Sequence, residues 1–154
     1  MTSRRNDFEL ESFLPYRVSL LANTISRGFA AHYRERHGIS ITEWRILAVL
    51  GRYPGLTASE IMERTAMDKV AIHRAVKTLV SGGLLERRTD PGDRRRQALH
   101  LTNSRGQAVL DDIIPRAQNF ERQLLDTLSG EDRDRLYELL DQLQRAAEAN
   151  LPKP

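Results

Sequence analysis

Cationic side chains crowded into one segment carry the clearest chemistry in the sequence. Between Lys69 and Arg96 stand eight Lys or Arg residues (69, 74, 77, 87, 88, 94, 95, 96) against three acids (86, 90, 93), a local charge of +5. The whole chain of 154 residues carries only +3, so the remainder sums to −2. Charge concentrated in this way suits a polyanion, and duplex DNA presents about one negative charge per 1.7 Å of axis. A charged face is often merely solvated. Here the basic residues fall on two consecutive elements, and that makes a binding surface the stronger reading.

Those elements follow from local patterns. Thr57-Ala-Ser-Glu60 has the spacing of a capping box, so a helix opens there, with Ile61 and Met62 on its apolar side, and closes near Arg64. Thr65–Met67 is a tight connector, and Asp68 suits the first turn of a second helix, where the dipole is positive. That helix buries Val70 or Ala71, Ile72, Val76, Leu79 and Val80, and turns Lys69, His73, Arg74 and Lys77 outward. Gly82-Gly83 stops it. Leu84–Arg88 and the alternating Gln97–Leu101 then flank Asp90-Pro91-Gly92-Asp93, turn chemistry that predicts a β-hairpin with Arg94, Arg95 and Arg96 at its tip. The predicted outline is a winged helix-turn-helix over 42–102. Its outward helix fits a major groove, and its arginine tip fits the narrow minor groove. Lys69, Val70 and His73, near the helix start, are candidates for base edges; Arg74 and Lys77 are candidates for phosphates. At the tip, Asp93 is assigned a structural role. Arg95 either pairs with Asp93 or touches DNA, and Arg94 or Arg96 probes the groove.

At these residues the chain resembles the MarR family of bacterial transcriptional regulators. The likeness lies in Asp93-x-Arg95 followed by Leu101-Thr102, in Leu79-Val80 then Gly83-Leu84-Leu85-Glu86-Arg87, and in Thr57 opening the first helix of the pair. With the flanking helices it covers nearly the whole chain. One departure is His73-Arg74, where many relatives carry Ser or Thr with Arg, so their base preference does not transfer. The resemblance implies a mainly α fold with a small β-hairpin wing, dimerisation through long terminal helices, and double-stranded DNA with a palindromic operator as partner. It also implies a cleft for a small-molecule effector between the dimer helices and the DNA-binding part. Tyr16, Arg17, Tyr33, Trp44 and Arg45 fall in the helices bordering that cleft, where a guanidinium beside aromatic rings suits an anionic aromatic ligand. Aromatics at such positions are more commonly core than pocket. Leu14-Pro15-Tyr16-Arg17 with Asn23 and Ser26 is similar to relatives that govern aromatic-acid catabolism and respond to hydroxycinnamoyl-CoA thioesters.

The flanks fit that organisation. Apolar residues at Leu10, Leu14, Val18, Leu21, Ile25 and Phe29 form a helical stripe that reaches towards His37-Gly38. Pro15 inside it marks either the true start or a short preceding helix. Thr42–Leu50 is a further helix, ended by Gly51 and Pro54. After Thr102, Asn103 or Ser104 caps a long helix that Pro115 should kink, and Ser129-Gly130 separates it from a last helix with Leu136, Leu139 or Leu140, Leu143 and Ala147 on one stripe. The terminal parts, 8–38 and 103–150, are therefore assigned to dimerisation, since a small winged lobe cannot bury these stripes alone. Residues 1–7 and the end from Pro152 are read as polar tails.

Other chemistries find little support. Cysteine is absent, which removes disulfides, thiolate metal sites and thiol redox sensing. There is no Gly-rich phosphate loop, His-Glu-x-x-His helix or nucleophile elbow, so no enzyme is predicted, and no cofactor. His32 and His37, five apart with Glu35 between, do not converge on a helix and are read as ordinary surface histidines, with no metal. Nothing at the N-terminus resembles a signal peptide, and no apolar run approaches the roughly 18–20 residues of a membrane helix. The expectation is a soluble, cytoplasmic regulator, probed against an effector-independent architectural DNA-binding protein as the alternative.

Overall fold

The computed structural model describes residues 8–152; residues 1–7 and 153–154, which carry most of the predicted polar tails, lie outside them. A 3-10 turn at Leu10–Ser12 precedes α1 (Leu14–Ala30), α2 (Arg34–His37), α3 (Ile41–Arg52), α4 (Ala58–Thr65) and α5 (Lys69–Ser81). The strands β1 (Leu85–Thr89) and β2 (Gln97–Leu101) follow, then α6 (Arg105–Leu125) and α7 (Gly130–Ala149). This is the expected mainly α chain with one antiparallel hairpin, in register from Leu85 opposite Leu101 to Thr89 opposite Gln97. The chain divides into two compact units, one ending at Pro115 and one beginning at Arg116.

The first unit holds the core. Ile46, Leu47 and Leu50 of α3, Ile61 of α4, Ile72, Val76 and Leu79 of α5, Leu85 and Leu99 of the hairpin and Ile113 of α6 are all at most 2% exposed. Each such side chain withdrawn from water contributes about 1.5–3 kcal/mol before the entropy of ordering it is set against that gain. Gly51 does not end its helix, as its composition suggests, but sits inside α3, where a Cβ would run into the Leu110 side chain. Gly106 plays the matching part in α6, where a Cβ would collide with the Leu84 carbonyl oxygen.

Several local expectations need correcting. The N-terminal stripe is not one helix to Gly38. α1 closes through bonds from the His32 and Tyr33 amides to the Phe29 and Ala30 carbonyls, because Tyr33 swings inward to 1% exposure. Pro15 occupies the first turn of α1, where its missing N–H has no helical partner to lose. Ser40, not Thr42, opens α3, with a capping box to Glu43. Asp68 is the N-cap of α5 rather than part of its first turn, accepting from the Ala71 amide at 2.9 Å. The hydroxyl seen capping α6 belongs to Thr102, which accepts from the Gly106 amide at 2.8 Å while donating to the Gly83 carbonyl at 2.7 Å.

The second unit contains α7, opened by Ser129, whose side chain accepts from the Asp132 amide at 3.1 Å. α7 has no buried residue. Its apolar positions are open: Tyr137 is 48% exposed, Leu139 40%, Leu140 47% and Leu143 43%.

Candidate nucleic-acid interface

The helix pair is assembled by caps and one strained residue. The Thr57 hydroxyl accepts from the Glu60 amide at 3.3 Å, and the Glu60 carboxylate accepts from the Thr57 amide at 2.7 Å. Ala66, with φ +50, turns the chain between α4 and α5 in the left-handed region. A side chain there costs about 1–2 kcal/mol, sustained by the packing on either side. The cap at Asp68 then sets the phase of α5. Ile72, Ala75, Val76 and Leu79 point inward, and Lys69, Val70, His73, Arg74 and Lys77 form an exposed stripe. Val70 is 62% exposed, so the inward alternative falls to the half-buried Ala71. An outward stripe of three cations, one imidazole and one methyl-bearing side chain offers donors and an apolar contact, the two things base edges and phosphates take.

The wing is held at its base and shaped at its tip. Leu99 accepts from the Gly55 amide at 3.0 Å and donates its own amide to the Leu56 carbonyl at 2.8 Å, stitching β2 to the loop before α4. At the tip, Asp90 accepts from the Gly92 amide at 2.8 Å, and Asp93 accepts from the Arg95 amide at 2.9 Å. The Asp93 carboxylate therefore folds the turn through the backbone of Arg95; the ion pair at the tip is made by another residue. Arg94 and Arg95 stand exposed.

Arg96 departs from its expected place as a groove probe. Its guanidinium turns back onto the lobe and donates to both oxygens of Glu60, at 3.0 and 3.2 Å, and to the Gly55 carbonyl at 3.2 Å. Asp90 adds a longer contact at 3.8 Å. The Arg96 donors, helped by the Thr57 amide, pull the Glu60 carboxyl from its ordinary 4.5 down to about 2. Sequence reasoning missed Glu60 as a partner because it already had a role in the capping box.

Of the five residues expected around an effector, Tyr16 and Arg17 share one groove, and Tyr33 and Trp44 pack together with Arg45 beside Tyr33. Tyr16 and Arg17 line an open groove of about 390 Å³ on α1 with Glu11, Leu20, Leu21 and Thr24. Tyr33 and Trp44 belong to an aromatic cluster with Phe29, whose ring lies 5.1 Å from Tyr33 and 5.4 Å from Trp44. Arg45 donates to the Ser26 hydroxyl at 3.0 Å. The Tyr33 hydroxyl is buried with no hydrogen-bond partner, and burial pushes its phenol above the ordinary value against the opposing pull of Arg34 and Arg45. His37 contacts the Asp112 carboxylate at 2.8 Å, beside Arg36 at 3.1 Å. Among the described residues no three acids or imidazoles are grouped to hold a metal, and no helix is long and apolar enough to cross a membrane.

Comparison with known proteins converges on one family. The MarR family model matches residues 37–96, the part that contains the helix pair and most of the wing. A putative transcriptional regulatory protein for the hcr operon of Thauera aromatica is 31% identical over 122 residues, 77% of this chain and 71% of that protein. Among solved structures, a MarR/EmrR family transcriptional regulator from Acinetobacter sp. ADP1 superposes with a TM-score of 0.84 at 27% identity, covering 92% of this chain and 99% of that one. BpsR of Bordetella bronchiseptica, whose DNA binding is described as regulated by 6-hydroxynicotinic acid, shares the fold with a TM-score of 0.78 at 17% identity, covering 90% of this chain and 98% of that one. With the helix pair, the wing and nearly the full length matched in this way, the chain belongs to the MarR family of DNA-binding transcriptional regulators.

Proposed function

We propose that the protein is a homodimeric repressor that reads a palindromic operator and is released by a small aromatic acid or its CoA thioester. The observation that carries the DNA reading is the exposed stripe of α5, Lys69 to Lys77, accompanied by the outward Arg94 and Arg95 of the wing. Lys69, Val70 and His73 address base edges in the major groove; Arg74 and Lys77 hold phosphates; Arg94 and Arg95 enter the minor groove. The lobe over 42–102 supplies these contacts, and the helical parts over 8–38 and 103–150 supply the dimer.

The dimer is supported by the apolar residues that the single chain leaves open. On α1, Leu14 is 50% exposed, Val18 48% and Leu21 59%, and α7 adds the four positions given above. A second copy covers both and sets two recognition helices on one duplex with two-fold symmetry. An effector is supported by the apolar groove carrying Tyr16 and Arg17, whose guanidinium suits a carboxylate, and by the regulation of the fold neighbour BpsR by a heteroaromatic acid. The ligand acts by binding one spacing of the two recognition helices better than the other.

The test is a fluorescence-anisotropy titration of the protein with its own upstream intergenic DNA, repeated with aromatic acids and their CoA thioesters. Tight, salt-sensitive binding relieved by one compound is the expected result. Equal affinity for random duplex would overturn the operator reading in favour of an architectural protein, and tight binding that none of the compounds relieves would overturn the effector class.

A further inference from the structure

We infer that Glu60 and Arg96 form a positioning strut for DNA recognition: the pair ties the outer end of the wing to the first turn of α4, and thereby holds Arg94 and Arg95 in fixed register with the α5 stripe. The inference rests on the reading of this lobe as a duplex-binding module.

Its basis is where the pair sits. The β1–β2 ladder ends at Thr89 opposite Gln97, and an isolated two-stranded hairpin is marginally stable in water. Backbone bonds from Leu99 to Gly55 and Leu56 hold the hairpin at its base. Arg96 lies just beyond the last ladder pair, where the tip would otherwise swing. There its guanidinium engages both Glu60 oxygens and the Gly55 carbonyl, three directional donor contacts on two different segments. The Arg96 backbone also belongs to the tip, donating to the Asp93 carbonyl at 2.9 Å and accepting from the Asp90 amide at 3.1 Å. Glu60 is fixed on its own side by the Thr57 amide and hydroxyl, at 2.7 and 3.0 Å. An unbroken path of directional bonds therefore runs from the turn carrying Arg94 and Arg95 to α4, which packs on α5. Ordering the tip before DNA arrives removes that cost from the binding step.

The chemistry allows a test in which two explanations predict opposite signs. Glu60→Gln keeps an oxygen for the Thr57 amide, as glutamine does in capping boxes, but loses the charge that engages Arg96. Removing an acid from a surface that meets a polyanion should, by Coulomb's law alone, tighten DNA binding. A lost strut should weaken it. The variants Glu60→Gln, Arg96→Met and the double variant are titrated against a duplex that the wild-type chain selects from a random pool, with melting curves and hydroxyl-radical footprints recorded for each. The strut predicts that each single variant binds roughly tenfold more weakly, that the double variant is no weaker than either single, and that Arg96→Lys recovers part of the loss. It also predicts fading of minor-groove protection under the wing while the major-groove contacts of α5 persist. Unchanged or tighter binding by Glu60→Gln, or additive losses in the double variant, would overturn the strut and return Arg96 to direct DNA contact. A wild-type chain that selects no duplex would instead overturn the DNA-binding reading itself. Loss of protection across both grooves with a lowered melting temperature would show a general folding defect and likewise overturn the positioning role.

Discussion

The winged lobe and the terminal helices use the same apolar residue types to opposite ends. Every buried apolar residue among the described residues falls between Phe29 and Ile113. On α7, by contrast, Leu139, Leu140 and Leu143 all stand exposed. In the first unit, α3, α5, the hairpin and the start of α6 close over one another, and the glycine at 106 admits a backbone carbonyl at a distance that any side chain would prevent. A unit whose interior is already closed can hold a binding surface rigid; a helix whose leucines face outward is, on the proposed reading, the part that meets a second copy.

The largest expected effect breaks the second half of that comparison. Replacing Leu139 and Leu143 by aspartate should convert a dimer to a monomer in sedimentation velocity, and should cost operator affinity roughly 100-fold as the two half-sites lose their linkage. A dimer that survives with unchanged affinity would show that α7 is not the associating face. Next, replacing Arg94 and Arg95 by alanine should weaken operator binding roughly ten- to hundredfold, and lower the log–log salt slope by about one unit per lost phosphate contact, with the dimer intact. Binding isotherms that superpose on the wild type would remove the wing from the interface.

A pair of glycine replacements sharpens the contrast directly. Gly106→Ala brings a Cβ against the Leu84 carbonyl, a backbone atom that cannot step aside, and should destabilise by about 1–3 kcal/mol, outweighing the roughly 1 kcal/mol that alanine gains in helix propensity. Gly130→Ala in α7 meets nothing within 4 Å and should leave the melting temperature unchanged or slightly raised. Equal melting shifts from the two would mean that α6 is packed no more tightly than α7. The smallest effect concerns acid. Glu60 has a folded-state carboxyl lowered from 4.5 to about 2, so its contribution is fully present above pH 4.5 and is lost as pH falls towards 2. Denaturant midpoints should therefore fall less steeply over that window in Glu60→Gln than in the wild type; parallel pH profiles would show that the pairing does not act on stability.

What could be read from the residues alone was whatever is settled within a few positions. The Thr57–Glu60 cap, the outward stripe of α5, the Gly82-Gly83 stop and the Asp-Pro-Gly turn all depend on near neighbours, and all stand in the structure. The Ser40–Glu43 cap has the same spacing as the Thr57 cap and is equally legible, two positions before the Thr42 start that the apolar pattern alone suggests. Other features depend on residues brought together from afar. The break after α1 exists because Tyr33 packs beside Phe29 and Trp44. Gly51 lies inside a helix, where its missing side chain leaves room for Leu110, and Arg96 turns inward because Glu60, 36 positions earlier, lies beneath it. A run of three arginines in a turn has no periodicity from which to tell the inward one from the outward two.

The aromatic cluster gives the molecule an optical property of its own. Trp44 is the single tryptophan of the chain, and its ring lies 5.8 Å from Tyr33 and 5.4 Å from Phe29. Light absorbed by Tyr33 should pass to Trp44 by resonance transfer, so emission from one indole reports whether α1 and α3 remain packed. Because Arg45, the next residue, is tethered to Ser26 on α1, a displacement of α1 should register in the colour of that emission, without any label attached.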